Sequence, residues 1–126
     1  MRKVITADGI FRPDAPLSHA VRIDNLLFVS GITPFDLNGD LGDDFESQMR
    51  ETMRSLGAIL QAGGASFATV AKCTVLLARR EDWSAMNRIY AEYWPDGEFP
   101  ARTAFEAKLP HPKFLLEIEC VAECRA

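Results

Sequence analysis

Cysteine and histidine are scarce in this chain of 126 residues, which contains three cysteines and two histidines. Cys73, Cys120 and Cys124 form no CxxC pair, and His19 and His111 stand far apart, so no spacing typical of a zinc site occurs. An odd number of cysteines without an export signal indicates reduced thiols. We therefore expect no metal site, two cysteines in the core at positions 73 and 120, and a more exposed thiol at position 124.

Long apolar runs and an excess of basic residues are also missing. No window approaches the roughly 20 apolar residues of a membrane-spanning helix, and the first eight residues hold no signal-peptide run. The formal charge of -4 disfavours binding to nucleic acid or to an anionic membrane, since both require a basic face. We expect a cytoplasmic protein with neither partner, folded as a single domain over residues 1–126.

Apolar periodicity predicts six strands and two helices. A stripe of residues at intervals of three and four, from Phe45 to Leu60, is typical of an amphipathic helix, with Asp43 or Asp44 as its cap and Gly63 beyond its end. The Asp24-Asn25 pair suits a tight hairpin turn. The predicted strands cover 3–6, 20–24, 26–30, 70–78, 101–107 and 114–122, and the predicted helices cover 45–60 and 82–94.

The predicted element order, β-β-β-α-β-α-β-β, favours an α+β fold. Two helices cannot cover both faces of a six-stranded sheet, so both should pack on one face. The other face would then expose apolar residues, namely Leu27 or Phe28, the aliphatic residues of 75–77 and part of 114–121. An exposed patch of that kind indicates association, so we expect a symmetric homo-oligomer.

An arginine and a carboxylate stand in the last two predicted strands, which we expect to be neighbours joined by the turn at 110–112. Arg102 lies near the start of the first strand and Glu117 in the second, followed by Glu119. A guanidinium can hold a substrate carboxylate through two parallel hydrogen bonds, and an acid beside it can handle a proton or a water. The alternative is a purely structural ion pair.

Several segments together resemble a known family. They are Ala15–Val21, Leu27–Pro34, Gln48, Leu60–Gly64, Val70–Val75, Asn87–Tyr90, Phe99–Thr103 and Leu116–Ala122. In this order and spacing, over about 110 residues, the chain resembles the reactive intermediate deaminase family, also called RidA or YjgF.

The resemblance implies a chorismate-mutase-like α+β fold, with a six-stranded mixed sheet and two helices on one face. It also implies a homotrimer with clefts between subunits, which would hydrolyse 2-imino acids or their enamine tautomers to 2-oxo acids and ammonia without a cofactor. A 2-iminobutanoate/2-iminopropanoate type of deaminase is the expected enzyme. The family's binding arginine falls on Arg102 and its water-handling acid on Glu117. The other site positions are Ser30, Gly31, Asn87, Ala104 and Leu17.

Three positions depart from the family pattern. Leu17 stands where a tyrosine is common, Ile32 where a glutamine is common, and Ala104 where a cysteine is common. Leu17 replaces a hydroxyl with an apolar wall. A bulkier or more apolar substrate, or weaker activity, would follow from that change.

Two other functions remain open at this point. The same cleft would also suit a non-catalytic module that binds a 2-oxo acid or another carboxylate, a reading that Leu17 favours. A ribonuclease is disfavoured by the net charge and by the lack of a histidine pair. Trp83 and Trp94, both placed on the second helix, are expected to pack in the core.

Overall fold

A computed structural model describes residues 1–125 and shows six strands and two α-helices in the predicted order. Short 3-10 turns at Phe67–Thr69 and Arg80–Asp82 precede β4 and α2. The bounds of the main elements are β1 Arg2–Ile5, β2 Ala20–Ile23, β3 Leu26–Ile32, α1 Phe45–Ala62, β4 Val70–Leu77, α2 Trp83–Ala91, β5 Ala101–Glu106 and β6 Leu116–Glu123.

The six strands form one mixed sheet in the order β1-β2-β3-β6-β4-β5. Neighbouring strands are antiparallel except β4 and β5, which pair in parallel and are connected through α2. This is the connection that parallel pairing requires, because the chain must return to the same end of the sheet. The predicted α+β fold with a mixed sheet is confirmed.

The expected pairing of the last two strands is wrong, because β4 lies between β5 and β6. The chain between them, residues 107–115, passes the end of β4 instead of turning back as a hairpin. On one side the Ala107 amide donates to the Leu77 carbonyl, and on the other the Ala78 amide donates to the Leu115 carbonyl. The prolines of this segment mark a crossing loop, a role that their sequence does not distinguish from a tight turn.

Helix α1 has the predicted caps and the predicted buried stripe. The Asp44 side chain accepts a hydrogen bond from the Ser47 amide at 2.8 Å, and the Gly63 amide donates back to the last turn. Carboxylates at this position satisfy amides that have no partner within the helix. Helix α1 packs against β3 and β6 and against α2. Its fully buried stripe consists of Met49, Met53, Leu56, Ile59 and Leu60.

The sheet face opposite the helices is open and largely apolar, as predicted, but Leu27, Val75 and Leu77 lie on the buried face instead. Register places its residues side by side: Val4, Val21, Phe28 and Val121 form one row across the sheet. Large side chains on this face are between 42% and 50% exposed. They are Val4, Ile23, Leu26, Phe28 and Phe105. Apolar exposure on this scale is characteristic of a surface that another protein covers.

Some expectations about single residues need correction. Cys124 is buried rather than exposed, since it packs against the core. Trp94 is buried as expected, but Trp83 is 44% exposed. Helix α2 ends at Ala91, three residues earlier than predicted, because turns complete the segment up to Trp94. No helix among the described residues has the length and hydropathy to cross a bilayer.

Candidate functional site

The Arg102 guanidinium lies between two aromatic rings of helix α2. Its central carbon is 5.3 Å from the ring centroid of Trp83 and 4.9 Å from that of Tyr90. One guanidinium nitrogen also lies 3.4 Å from the sulfur of Met86. These three residues follow one face of α2 at positions i, i+3 and i+7, so a single helix face holds the guanidinium.

No carboxylate within residues 1–125 forms a salt bridge with Arg102. The side chain opens instead onto a groove of about 330 Å³ that Asn87, Phe99 and Pro100 also line. Asn87 stands four residues after Trp83 and three before Tyr90, on the same side of α2. The groove therefore offers a cationic fork, with an amide beside it, to an acidic group from outside the chain.

Glu117 points to the open face of the sheet, because its neighbours Leu116 and Ile118 are fully buried on the helix face. It is half-buried, and no basic group pairs with it within residues 1–125. Burial raises the pKa of the Glu117 carboxyl, and the nearby charge of Glu119 raises this pKa further. An acid of this kind is easier to protonate than an ordinary glutamic acid.

Gly31 makes room for the Glu117 carboxylate. A Cβ at position 31 would stand 2.9 Å from a carboxylate oxygen (Oε1) of Glu117, closer than such atoms approach. The pairing of β3 and β6 shifts register between Val29 and Ile32, which brings this part of β3 against Glu117. A side chain at position 31 would therefore displace the Glu117 carboxylate from this position.

Glu117 borders a cavity of about 230 Å³ at the end of β3. Ser30, Gly31 and Leu17 also line it. The Ser30 hydroxyl donates to the Ser18 carbonyl, which ties β3 to the loop that carries Leu17. Leu17 is 51% exposed and forms an apolar part of the wall, at the position where the family commonly has a tyrosine.

His19 fixes the N-terminal loop of this cavity. The Ala7 amide donates to Nδ1 at 3.1 Å, so Nε2 carries the proton and donates to the Phe11 carbonyl at 3.0 Å. The ring is buried and both nitrogens are occupied. His19 is therefore a structural tie in this chain rather than a ligand or a base.

Six of the seven predicted site residues fall into two groups. Leu17, Ser30, Gly31 and Glu117 line the cavity at the end of β3, whereas Arg102 and Asn87 line the groove beside α2. Ala104 lies two residues beyond Arg102 on the same face of β5, pairs with Val75, and lines neither cavity. Within one chain, the two groups do not meet.

Sequence reasoning did not assign site roles to the aromatic residues that hold Arg102. Trp83 and Tyr90 were expected on the apolar face of the second helix, and their spacing of seven was the available signal. The sequence does not indicate that β5 is an edge strand of the sheet. This edge position leaves one end of the aromatic face of α2 uncovered. A core stripe and a cation-binding stripe have the same periodicity.

Comparison with known proteins gives the family. A family model described as endoribonuclease L-PSP matches residues 9–124. The chain belongs to this family. The predicted resemblance is confirmed, because a protein named Reactive Intermediate Deaminase A from Arabidopsis thaliana is 33% identical over 96% of this chain and a Rid-family structure also matches.

Three members of the family illustrate how complete the similarity is. A RutC family protein from Pyrococcus horikoshii is 36% identical, over 97% of this chain and 98% of its own length. The 3-aminoacrylate deaminase RutC from Acinetobacter baylyi is also 36% identical, over 96% of this chain and 97% of its own. The structure of YyfA from Yersinia pestis, of the conserved Rid protein family, matches with a TM-score of 0.92 and 31% identity, over 98% and 99% of the two chains.

Proposed function

We propose that this Rid-family chain is a deaminase that hydrolyses reactive 2-imino acids, or their enamine tautomers, to 2-oxo acids and ammonia. The observation that carries the proposal is a pair of unmatched charges: within residues 1–125, the Arg102 guanidinium has no carboxylate partner and the half-buried Glu117 has no basic partner. A substrate carboxylate would pair with the Arg102 guanidinium, and a water would hydrogen-bond to Glu117. The deaminase names of two relatives agree with this chemistry.

Arg102 binds the substrate carboxylate in this proposal. The rings of Trp83 and Tyr90 hold the guanidinium so that its fork is oriented before the substrate arrives. Two parallel charge-assisted hydrogen bonds then fix the carboxylate, and with it the adjacent C=N carbon. Asn87 supplies a further hydrogen-bonding group in the same groove.

Glu117 handles the water. The ionised carboxylate takes a proton from the water as the water oxygen bonds to the imine carbon, and it gives that proton to the imine nitrogen as the π bond of C=N breaks. In the resulting carbinolamine the carboxylate moves the hydroxyl proton to the amino nitrogen, the C–N bond breaks, and ammonia and the 2-oxo acid are released. Because an imine is already electrophilic, the reaction balances with water alone. Ser30 and the backbone at Gly31 border the reacting centre, and Leu17 provides an apolar wall.

The complete cleft requires two copies of the chain. Arg102 of β5 pairs with Cys73 of β4, and Glu117 of β6 pairs with Leu76 on the other side of β4. Strand geometry therefore places the Cα atoms of Arg102 and Glu117 roughly 14 Å apart. The sheet also separates their side chains. A homotrimer joined through the open sheet face would bring the groove of one subunit to the cavity of the next, as the resemblance implied.

Mixing two inactive variants tests this arrangement. Arg102→Ala and Glu117→Gln should each lose ammonia release from 2-imino acids made in situ by an amino acid oxidase. When the two are unfolded, mixed and refolded together, about a quarter of randomly assembled clefts regain both groups, and activity returns to about that level. Arg88→Ala, an exposed arginine of α2 that pairs with Glu46, is the control and should stay active. If mixing restores nothing while both variants assemble, the shared cleft is wrong.

A carboxylate-binding regulator is the second candidate, and Leu17 favours it. This residue stands exposed at the cavity mouth and gives the site no hydroxyl to assist proton transfer. The two functions differ in one measurement. A regulator would bind 2-oxo acids through Arg102 while ammonia release from imines stayed at the uncatalysed rate.

A further inference from the structure

The cavity at the end of β3 is larger than the proposed hydrolysis requires. Glu117 and the exposed Leu17 stand at its mouth, whereas Ile10 and Ile59, which also line it, are buried. Its volume is about 230 Å³. An apolar cavity of about 150 Å³ is already large enough to hold benzene. The methyl group of 2-iminopropanoate would therefore leave most of this space empty.

Three phenylalanines from different segments line this cavity. Phe11 comes from the loop before β2, Phe35 from the loop after β3, and Phe114 from the crossing loop before β6. The ring centroids of Phe11 and Phe35 are 4.6 Å apart, and those of Phe35 and Phe114 are 4.9 Å apart. The rings of Phe11 and Phe35 are only half-buried, so a ligand can reach them. Such rings attract a further ring more strongly than an aliphatic group of similar size.

The polar groups of the lining disfavour a charged or polar side chain in the cavity. Among the described residues that line it, Glu117 is the one that carries a charge. This carboxylate would repel an acidic side chain. His19 uses both ring nitrogens in hydrogen bonds to backbone groups, and the Ser30 hydroxyl donates to the Ser18 carbonyl. A polar side chain would therefore lose hydrogen bonds to water and gain few in return, so an uncharged apolar group fits best.

We propose that this cavity holds the side chain of the substrate, and that the chain acts preferentially on imino acids whose side chain is aromatic. The inference rests on the proposed function, which places the imine carbon beside Glu117 at the cavity mouth. The substrate ring would lie against Phe11, Phe35 and Phe114, while its carboxylate reaches Arg102 of a second copy. The three phenylalanines set the specificity and take no part in the reaction.

Three stable 2-oxo acids test the preference without turnover. Phenylpyruvate, 4-methyl-2-oxopentanoate and pyruvate share the carboxylate and the oxo group but differ in the side chain, and calorimetry gives a dissociation constant for each. Burial of the ring should make phenylpyruvate bind about 10- to 100-fold more tightly than pyruvate to the wild-type protein. Contact with the phenylalanines should make it bind about threefold more tightly than the branched aliphatic acid. Arg102→Ala should weaken the binding of all three acids.

A matched pair of variants tests the role of the aromatic wall. Phe35→Leu removes one ring of the wall and leaves an apolar residue, so phenylpyruvate and 4-methyl-2-oxopentanoate should then bind with constants that agree within about twofold. Phe67→Leu is the control, because Phe67 is also a half-buried ring, packed against Tyr93 and Trp94, but does not line this cavity. Phe67→Leu should keep the preference for the aromatic acid.

Equal binding of phenylpyruvate and pyruvate to the wild-type protein would overturn the inference. A ring preference that persists in Phe35→Leu, or tight phenylpyruvate binding that survives in Arg102→Ala, would also overturn it. The proposed function is judged separately, by ammonia release from the imines of alanine and phenylalanine made in situ by an amino acid oxidase. No ammonia release beside a clear preference for phenylpyruvate would contradict the deaminase and support the side-chain cavity. Ammonia release beside equal binding would do the reverse.

Discussion

Arg102 and Glu117 face opposite sides of the same sheet and stand two strands apart. Arg102 shares a face with Cys73, beneath the helices, whereas Glu117 alternates with the buried Leu116 and Ile118 and so faces away from them. A substrate held by one of these groups cannot reach the other in the same chain. In the proposed reaction, the two groups must therefore come from different copies of the chain.

The geometry of the Arg102 fork, beyond its charge, should matter for activity. Arg102→Lys keeps the charge but loses the planar pair of donors, and each charge-assisted hydrogen bond is worth about 1.5–3 kcal/mol. We expect kcat/KM for 2-imino acids to fall about 10- to 100-fold in Arg102→Lys and further in Arg102→Ala. Steady-state ammonia release measures this. A lysine variant as active as the wild type would show that bidentate binding is not used.

The ring of Trp83 should position the guanidinium even though the side chain is 44% exposed. Trp83→Leu removes the π face and leaves an apolar residue, whereas Trp83→Phe keeps a face. A cation–π contact at a partly exposed site is worth about 1 kcal/mol, so KM should rise about fivefold in the leucine variant with little change in kcat. Rescue by phenylalanine distinguishes positioning from packing. Equal KM values in the two variants would argue against the role of the ring.

Local signals in the sequence were sufficient for the elements but not for their arrangement. Helix α1 begins at the predicted Phe45 because Asp44 caps it and an apolar stripe follows, and these features act within a few residues. The pairing of β5 with β4 depends on contacts between distant parts of the chain. A loop of nine residues can close a hairpin or cross a strand equally well, so the error at β5 and β6 was not avoidable from pattern alone.

In the candidate site, too, local sequence identifies some residues, whereas other features depend on how distant segments pack. Arg102 and Glu117 were found by residue type and by resemblance, whereas the cavity beside Glu117 was not, because only the packed chain creates it. Trp83 was expected in the core because an apolar helical face usually points there, but here that face ends at an edge strand.

The pH dependence of activity should report the pKa of Glu117. Burial and the charge of Glu119 raise this pKa, so the acid limb of kcat/KM should lie above the ordinary range for glutamic acid, with activity rising as Glu117 ionises. Glu119→Gln removes the like charge and should move the limb to lower pH. Glu123→Gln, further along β6 and paired with Arg125, is the control. An unmoved limb in Glu119→Gln would assign the titration to another group.

The stability of the fold should also depend on the protonation of Glu117. Activity needs the ionised acid, whereas folding favours the protonated one. Because the pKa of Glu117 is higher in the folded chain than in the unfolded one, protonation of Glu117 favours folding. That contribution is complete below the unfolded pKa and is lost as pH rises through the folded pKa. Glu117→Gln should therefore gain melting temperature relative to the wild type at pH 7 and lose this advantage near pH 4, within the usual range for the unfolded carboxyl.

The open sheet face should be the surface that joins the subunits. Phe28 sits opposite Val121 near the middle of this face, and burying a phenylalanine side chain contributes about 1.5–3 kcal/mol. Phe28→Glu would place a charge in a dry interface, so we expect sedimentation to give a monomer and ammonia release to be lost, with the helical circular dichroism retained. Leu37→Glu changes an exposed leucine outside the sheet and should leave the assembly intact. If Phe28→Glu still assembles and remains active, the subunits associate through another surface, and the cleft between Arg102 and Glu117 must be built differently.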